Sequence, residues 1–130
     1  MNQNFGFMSF LVPLIVSGEK TITNRILTPF REKCDMGDIM HCFENYRKKN
    51  AFKFADAKVL FTVNWESKDI PVSLDDARRT RSPLLALKWL EFSKLDGFIQ
   101  YSDFQDFFYG KGVLKCFQFE VIRVKGVEEL

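Results

Sequence analysis

At 130 residues, 46% hydrophobic and 28% charged, the chain has the size and composition of one folded domain over 1–130, which excludes disordered and fibrous classes. A net charge of +2 is too small to declare a nucleic-acid partner by itself, although a local basic patch would suffice. Three cysteines, Cys34, Cys42 and Cys116, show no framework spacing and read as reduced thiols, while 15 Phe residues call for a ring-packed core or for rings on a binding surface.

Phe5 to Phe10 reads as a short strand broken by Gly6, and Leu11 to Ser17 as an apolar helix with Pro13 in its first turn. The apolar run from Phe7 to Val16 is shorter than the roughly 20 residues of a membrane span and lacks the flanks of a signal peptide, so a cytoplasmic protein is expected. Gly18 stands where a helix-ending glycine belongs. The stretch Gly18-Glu19-Lys20-Thr21-Ile22-Thr23-Asn24-Arg25 follows. As a strand it alternates, placing Thr21, Thr23 and Arg25 on one face. Two hydroxyls and a guanidinium in a row suit a phosphate, a carboxylate or a polarised carbonyl.

Ile26 to Met36 reads as a loop, Gly37-Asp38 as a turn and Ile39 to Phe43 as a strand. Glu44 to Asn50 is a charged hairpin tip with Tyr46, Arg47, Lys48 and Lys49, and Phe52, Lys53 and Phe54 come next. Interleaved cations and rings can hold a phosphate backbone and stack bases, or form an ordinary solvated tip. Ala57 to Trp65 alternates as an internal strand, with Val59, Phe61 and Val63 on one parity. Asp69 to Ser82 loses periodicity, and Arg78, Arg79 and Arg81 either reach a phosphate or pair with the preceding acids.

Leu84 to Leu95 carries an apolar stripe at helical spacing, with Trp89 at its edge, and Asp96-Gly97 ends it. Ser102-x-x-Gln105 fits a capping box for a helix through Phe108. Gly110 and Gly112 turn the chain into a last strand, Val113 to Val124, and the tail from Lys125 is expected to fray. His41 is the only histidine and its neighbour Cys42 faces the other way on a strand, so no metal and no cofactor are expected. Helices and strands do not alternate regularly, which favours an α+β fold, a small and mostly antiparallel β-barrel flanked by helices.

Gly18, Lys20, Thr21, Thr23 and Arg25, with Gly37-Asp38 and the later Asp96-Gly97-Phe98 and Ser102-Asp103-Phe104 segments, resemble the signature of the ASCH domain, a branch of the PUA-like superfamily. The resemblance spans roughly Phe7 to Val124. It implies the PUA-like barrel and a ligand of RNA or a modified nucleoside. In size and layout the chain resembles the small bacterial N4-acetylcytidine amidohydrolases. Their working Lys and Thr fall on Lys20 and Thr23. Their Glu falls at or near Asp96, one methylene shorter, with Glu91 a second candidate outside the motif. In that role Lys20 would take a proton from Thr23 or water, Arg25 or a backbone N–H would hold the oxyanion, and Asp96 would return the proton to the leaving amine. Gly18, Thr21, Arg25, Gly97 and Phe98 would contact the ligand. Binding without chemistry, hydrolysis of an acylated nucleoside, and a protein-interaction module with exposed Phe side chains all remain open at this point.

Overall fold

The computed structural model describes residues 1–46 and 48–125. Five strands, β1 (Gln3–Phe7), β2 (Ile22–Ile26), β3 (Ile39–Glu44), β4 (Phe52–Glu66) and β5 (Val113–Val124), form one mixed sheet in the order β1-β3-β4-β5-β2. The β1–β3 pair is parallel and the other three pairings are antiparallel. The helices are α1 (Val12–Ser17), α2 (Pro29–Glu32), α3 (Leu74–Arg79), α4 (Trp89–Leu95) and α5 (Tyr101–Phe108). The expected α+β architecture is therefore present, its mostly antiparallel sheet curled into a half-barrel flanked by helices. β1 and β2 are its edges. A side chain spans the gap between them: Arg25 on β2 donates from Nη2 to the Gly6 carbonyl on β1 at 2.9 Å.

The sheet curls because β4 is irregular. Its register with β5 shifts between Asp56 and Ala57 and again between Val59 and Phe61. Each extra residue bends a strand and raises its twist. The second shift also overturns the simple alternation expected there: Val59 is fully buried whereas Phe61 is exposed.

The sheet separates two cores. Inside the curl, Phe5, Phe7, Met40, Val59, Phe117 and Phe119 pack with Ile15 of α1. On the other side, Ile22, Trp65, Leu114 and Cys116 meet Trp89, Phe92, Phe104 and Phe108 of the helices. Trp65 is the hub of this second core, with the rings of Trp89, Phe92 and Phe108 set edgewise to it at centroid distances of 5.4 to 5.8 Å. Along β5, Cys116 faces one core and Phe117 the other, as strand pleating requires.

Several local expectations are corrected. The stretch read as a loop contains α2, because Thr28 accepts from the Arg31 amide and Pro29 starts the helix. The helix expected from Leu84 starts only at Trp89. Arg81 and Lys88 pair as a β-bridge, and the Ser82 hydroxyl donates to the Leu84 carbonyl, closing a loop before it. Ser102 caps nothing: Gln100 is the cap position of α5, and Gln105 donates to the carbonyls of Pro71 and Val72. Asp75 to Arg79 lie in α3, capped by Ser73.

Candidate functional site

Lys20 reaches its place through a sharp reversal. Gly18 ends α1 with φ of +83°, a conformation that costs glycine nothing, and the Lys20 amide then turns back onto the Leu14 carbonyl. The side chain goes inward and is only 2% exposed. Its ammonium donates to the Ile22 carbonyl at 2.7 Å, the Asp96 carbonyl at 2.6 Å and Asp96 Oδ1 at 2.5 Å. All three N–H groups are thus engaged. Burial pulls the Lys20 pKa below its ordinary value, against the opposing pull of the Asp96 carboxylate.

Asp96 sits at the end of α4 and is 6% exposed. Its second oxygen accepts from Asn24 Nδ2 at 2.9 Å, and Asn24 Oδ1 accepts from Trp65 Nε1 at 2.8 Å. A continuous polar line therefore runs from the second core through Asn24 and Asp96 to Lys20. Asn24 and Trp65 escaped the sequence reading. The signal was faint: an Asn at a buried parity of a strand needs partners for both ends of its amide. Trp65→Phe would orphan Asn24 Oδ1, at a cost of about 1–3 kcal/mol. Urea unfolding of the variant checks this value.

Thr23 and Arg25 form a second pair. Arg25 Nε donates to Thr23 Oγ1 at 3.2 Å, so the threonine hydroxyl is held by Arg25 and the lysine by Asp96. Arg25 also lies over the rings of Phe5 and Phe7, 5.3 and 4.9 Å from their centroids. Burial, then the nearby Arg31 guanidinium, lower its pKa to about 10.

These groups line one cleft of about 1160 Å³. Lys20, Thr23, Arg25, Asp96, Gly97 and Phe98 all border it; Gly18 and Thr21 do not. Thr21 instead pairs through its backbone, donating to the Leu95 carbonyl and accepting from the Phe119 amide. Arg78, Arg79, Arg81 and Glu91 lie outside the lining as well. Arg78 pairs with Asp75, and Arg81 donates to the Leu85 carbonyl. Of the basic hairpin tip, Tyr46 borders the cleft, Lys53 pairs with Asp56, Phe54 is in the first core, and Arg47 lies outside the described residues. The rim carries exposed rings, Phe10 at 64% and Phe30 at 52%, with Phe107 under the Lys111 ammonium.

Among the described residues no group of three metal-ligating side chains occurs, and His41 binds Asp56 through Nδ1 at 2.8 Å. The three thiols are buried, and burial pushes Cys34 up to about 11, which makes it a poor nucleophile at neutral pH. No helix among the described residues is long and apolar enough to cross a membrane.

No family model and no curated protein matches the chain. Solved structures do. The ASCH protein from Zymomonas mobilis superposes with a TM-score of 0.60 at 14% identity, over 98% of this chain and 75% of that one. Hypothetical protein PH0355 gives 0.58 at 18% identity, over 94% of this chain and all of its own. Protein EF3133 from Enterococcus faecalis gives 0.56 at 19% identity, over 90% and 72%. At these identities the likeness is one of fold, and that fold is the ASCH-domain half-barrel with its flanking helices.

Proposed function

We propose that this is a cytoplasmic ASCH-fold protein that binds RNA or a modified nucleoside in the cleft beside Lys20, Thr23 and Arg25. The observation that carries this reading is a floor of buried, mutually satisfied polar groups beneath a rim of exposed rings. A rigid polar floor orients a base, and sequence-tolerant rings stack on it. The cleft volume of about 1160 Å³ lies above the roughly 300–1,000 Å³ of small-ligand pockets, which favours a nucleotide with its neighbours over one small molecule. Fluorescence anisotropy with a labelled single-stranded oligoribonucleotide tests the reading. Binding by the wild type, weakened by about thirtyfold or more in Phe10→Ala/Phe30→Ala, is expected, because each of the two stacked rings contributes about 1–3 kcal/mol. Undiminished binding by this variant would place the RNA elsewhere.

A second reading, hydrolysis of an N4-acylated cytidine, is favoured by one distance. The shorter Asp96 carboxylate still reaches Lys20 Nζ, at 2.5 Å. With one ammonium proton passed to Asp96, the amine of Lys20 takes a proton from water. The hydroxide attacks the acetyl carbonyl, and Asp96 returns its proton to the departing 4-amino nitrogen, releasing cytidine and acetate. Because the Thr23 hydroxyl already accepts from Arg25, water rather than Thr23 is the nucleophile in this scheme. A proton NMR time course with N4-acetylcytidine would show acetate growing if the scheme operates, and no acetate if it does not.

A further inference from the structure

We infer that Arg25 and Arg31 form a phosphate-binding end of the cleft, so that its ligand is a nucleotide, as a phosphate monoester or diester, rather than a free nucleoside. This rests on the nucleoside-binding reading above and narrows it. Both guanidiniums border the cleft where β1 and β2 face each other across the open side of the half-barrel. Both lie over one buried ring: the Phe5 centroid is 5.3 Å from Arg25 Cζ and 4.0 Å from Arg31 Cζ. Two like charges are therefore held against the same ring, no further apart than those two distances together. An arrangement of this kind repels itself and is relieved by a shared anion.

Both side chains are held in place before any ligand arrives. Arg31 Nη1 donates to Gln3 Oε1 and to the Asn4 carbonyl, each at 3.1 Å. Arg25 is held by Thr23 and Gly6, bonds that use two of the five N–H groups of a guanidinium. Arg25 enters none of the ion pairs among the described residues. Of the carboxylates that border the cleft, Asp96 attracts Arg25 across space only. Asp96 is engaged by Lys20 and Asn24, and Asp103 belongs to α5, the helix that also contributes Phe107 to the lining. The guanidinium end also carries a stacking surface, because the exposed Phe30 ring centroid lies 5.5 Å from Arg31 Cζ. A nucleotide presents these two chemistries, a charged phosphate and a stackable base.

Isothermal titration calorimetry of the full chain with cytidine, cytidine 5′-monophosphate, inorganic phosphate and an RNA tetranucleotide lacking a terminal phosphate tests the inference. The monophosphate is expected to bind at least about tenfold tighter than cytidine, as charge-assisted hydrogen bonds to a phosphate allow, with an advantage that shrinks as salt rises. In Arg31→Gln, and in Arg31→Lys should the first variant fold poorly, the ratio of the two affinities is expected to fall toward one. A tetranucleotide that outbinds the monophosphate would assign the arginines to a strand's diester, and the reverse order to a terminal phosphate. Equal affinity for cytidine and its monophosphate would overturn the phosphate end and leave the nucleoside cleft standing. Binding of inorganic phosphate without any nucleoside affinity would keep the phosphate end and remove the nucleoside reading. An Arg31 variant with an unchanged ratio would also overturn the inference.

Discussion

Lys20→Ala is expected to destabilise the protein by about 3–5 kcal/mol, the cost of removing one partner from a buried ion pair. It is also expected to abolish ligand binding. The substitution leaves Asp96 buried with a single side-chain partner, Asn24, and leaves the Ile22 and Asp96 carbonyls without the ammonium they accept from. A lysine serving only as an exposed reagent would be replaced at almost no cost in stability, so urea unfolding separates the two roles. Replacing both charges, as Lys20→Met with Asp96→Asn, removes the unpaired charge. The double variant is therefore expected to recover much of the lost stability but not the ligand affinity. A single variant as stable as the wild type would contradict the buried network.

Gly97→Ala is expected to be nearly as damaging, at about 2–4 kcal/mol, from left-handed backbone strain together with overpacking. Gly97 has φ of +100°, and a Cβ there would stand 2.8 Å from Leu11 Cδ2 and 3.5 Å from Lys20 Cδ. The glycine lets the turn after α4 pass close to both the helix-leading turn and the lysine stem. The added methyl pushes on the same groove that seats Lys20 against Asp96. Thermal unfolding is expected to shift down by roughly 10 °C, by the usual scaling for a chain of this size, and ligand affinity should fall with it. At Gly18 a Cβ would meet open space, although its φ of +83° is also left-handed. The Gly18→Ala variant therefore carries backbone strain alone and is expected to lose less.

What was legible in the sequence was mostly local. Gly18 and Gly97 announce helix ends because few other residues adopt their positive φ, and the run after Gly18 reads as a strand by alternation. The grouping of Lys20, Thr23, Arg25 and Asp96 around one cleft came through the family resemblance, not through periodicity. What stayed hidden depends on partners distant in the chain. Lys20 and Asp96 are 76 residues apart, and Asn24 and Trp65 are 41 apart, so no local pattern reveals that Lys20 is buried or that Asn24 links two cores. Lys20 and Asn24 occupy the Asp96 carboxylate, and Arg25 crosses to Gly6. The bulge after Val59 inverts a parity that looked regular. Leu84 and Leu87 fit a helical stripe, yet the Arg81–Lys88 bridge holds them in a loop, a tertiary constraint overriding propensity.

The most direct measurement is an amide chemical-shift map of the protein titrated with cytidine 5′-monophosphate. Shifts confined to the amides of residues 10, 20 to 25, 30 to 31 and 96 to 98 are the expected result, with those at the α3 arginines and the outer face of β4 unmoved. Shifts centred on α3 or on the exposed face of the sheet, or none at saturating ligand, would contradict the assignment of this cleft as the ligand site.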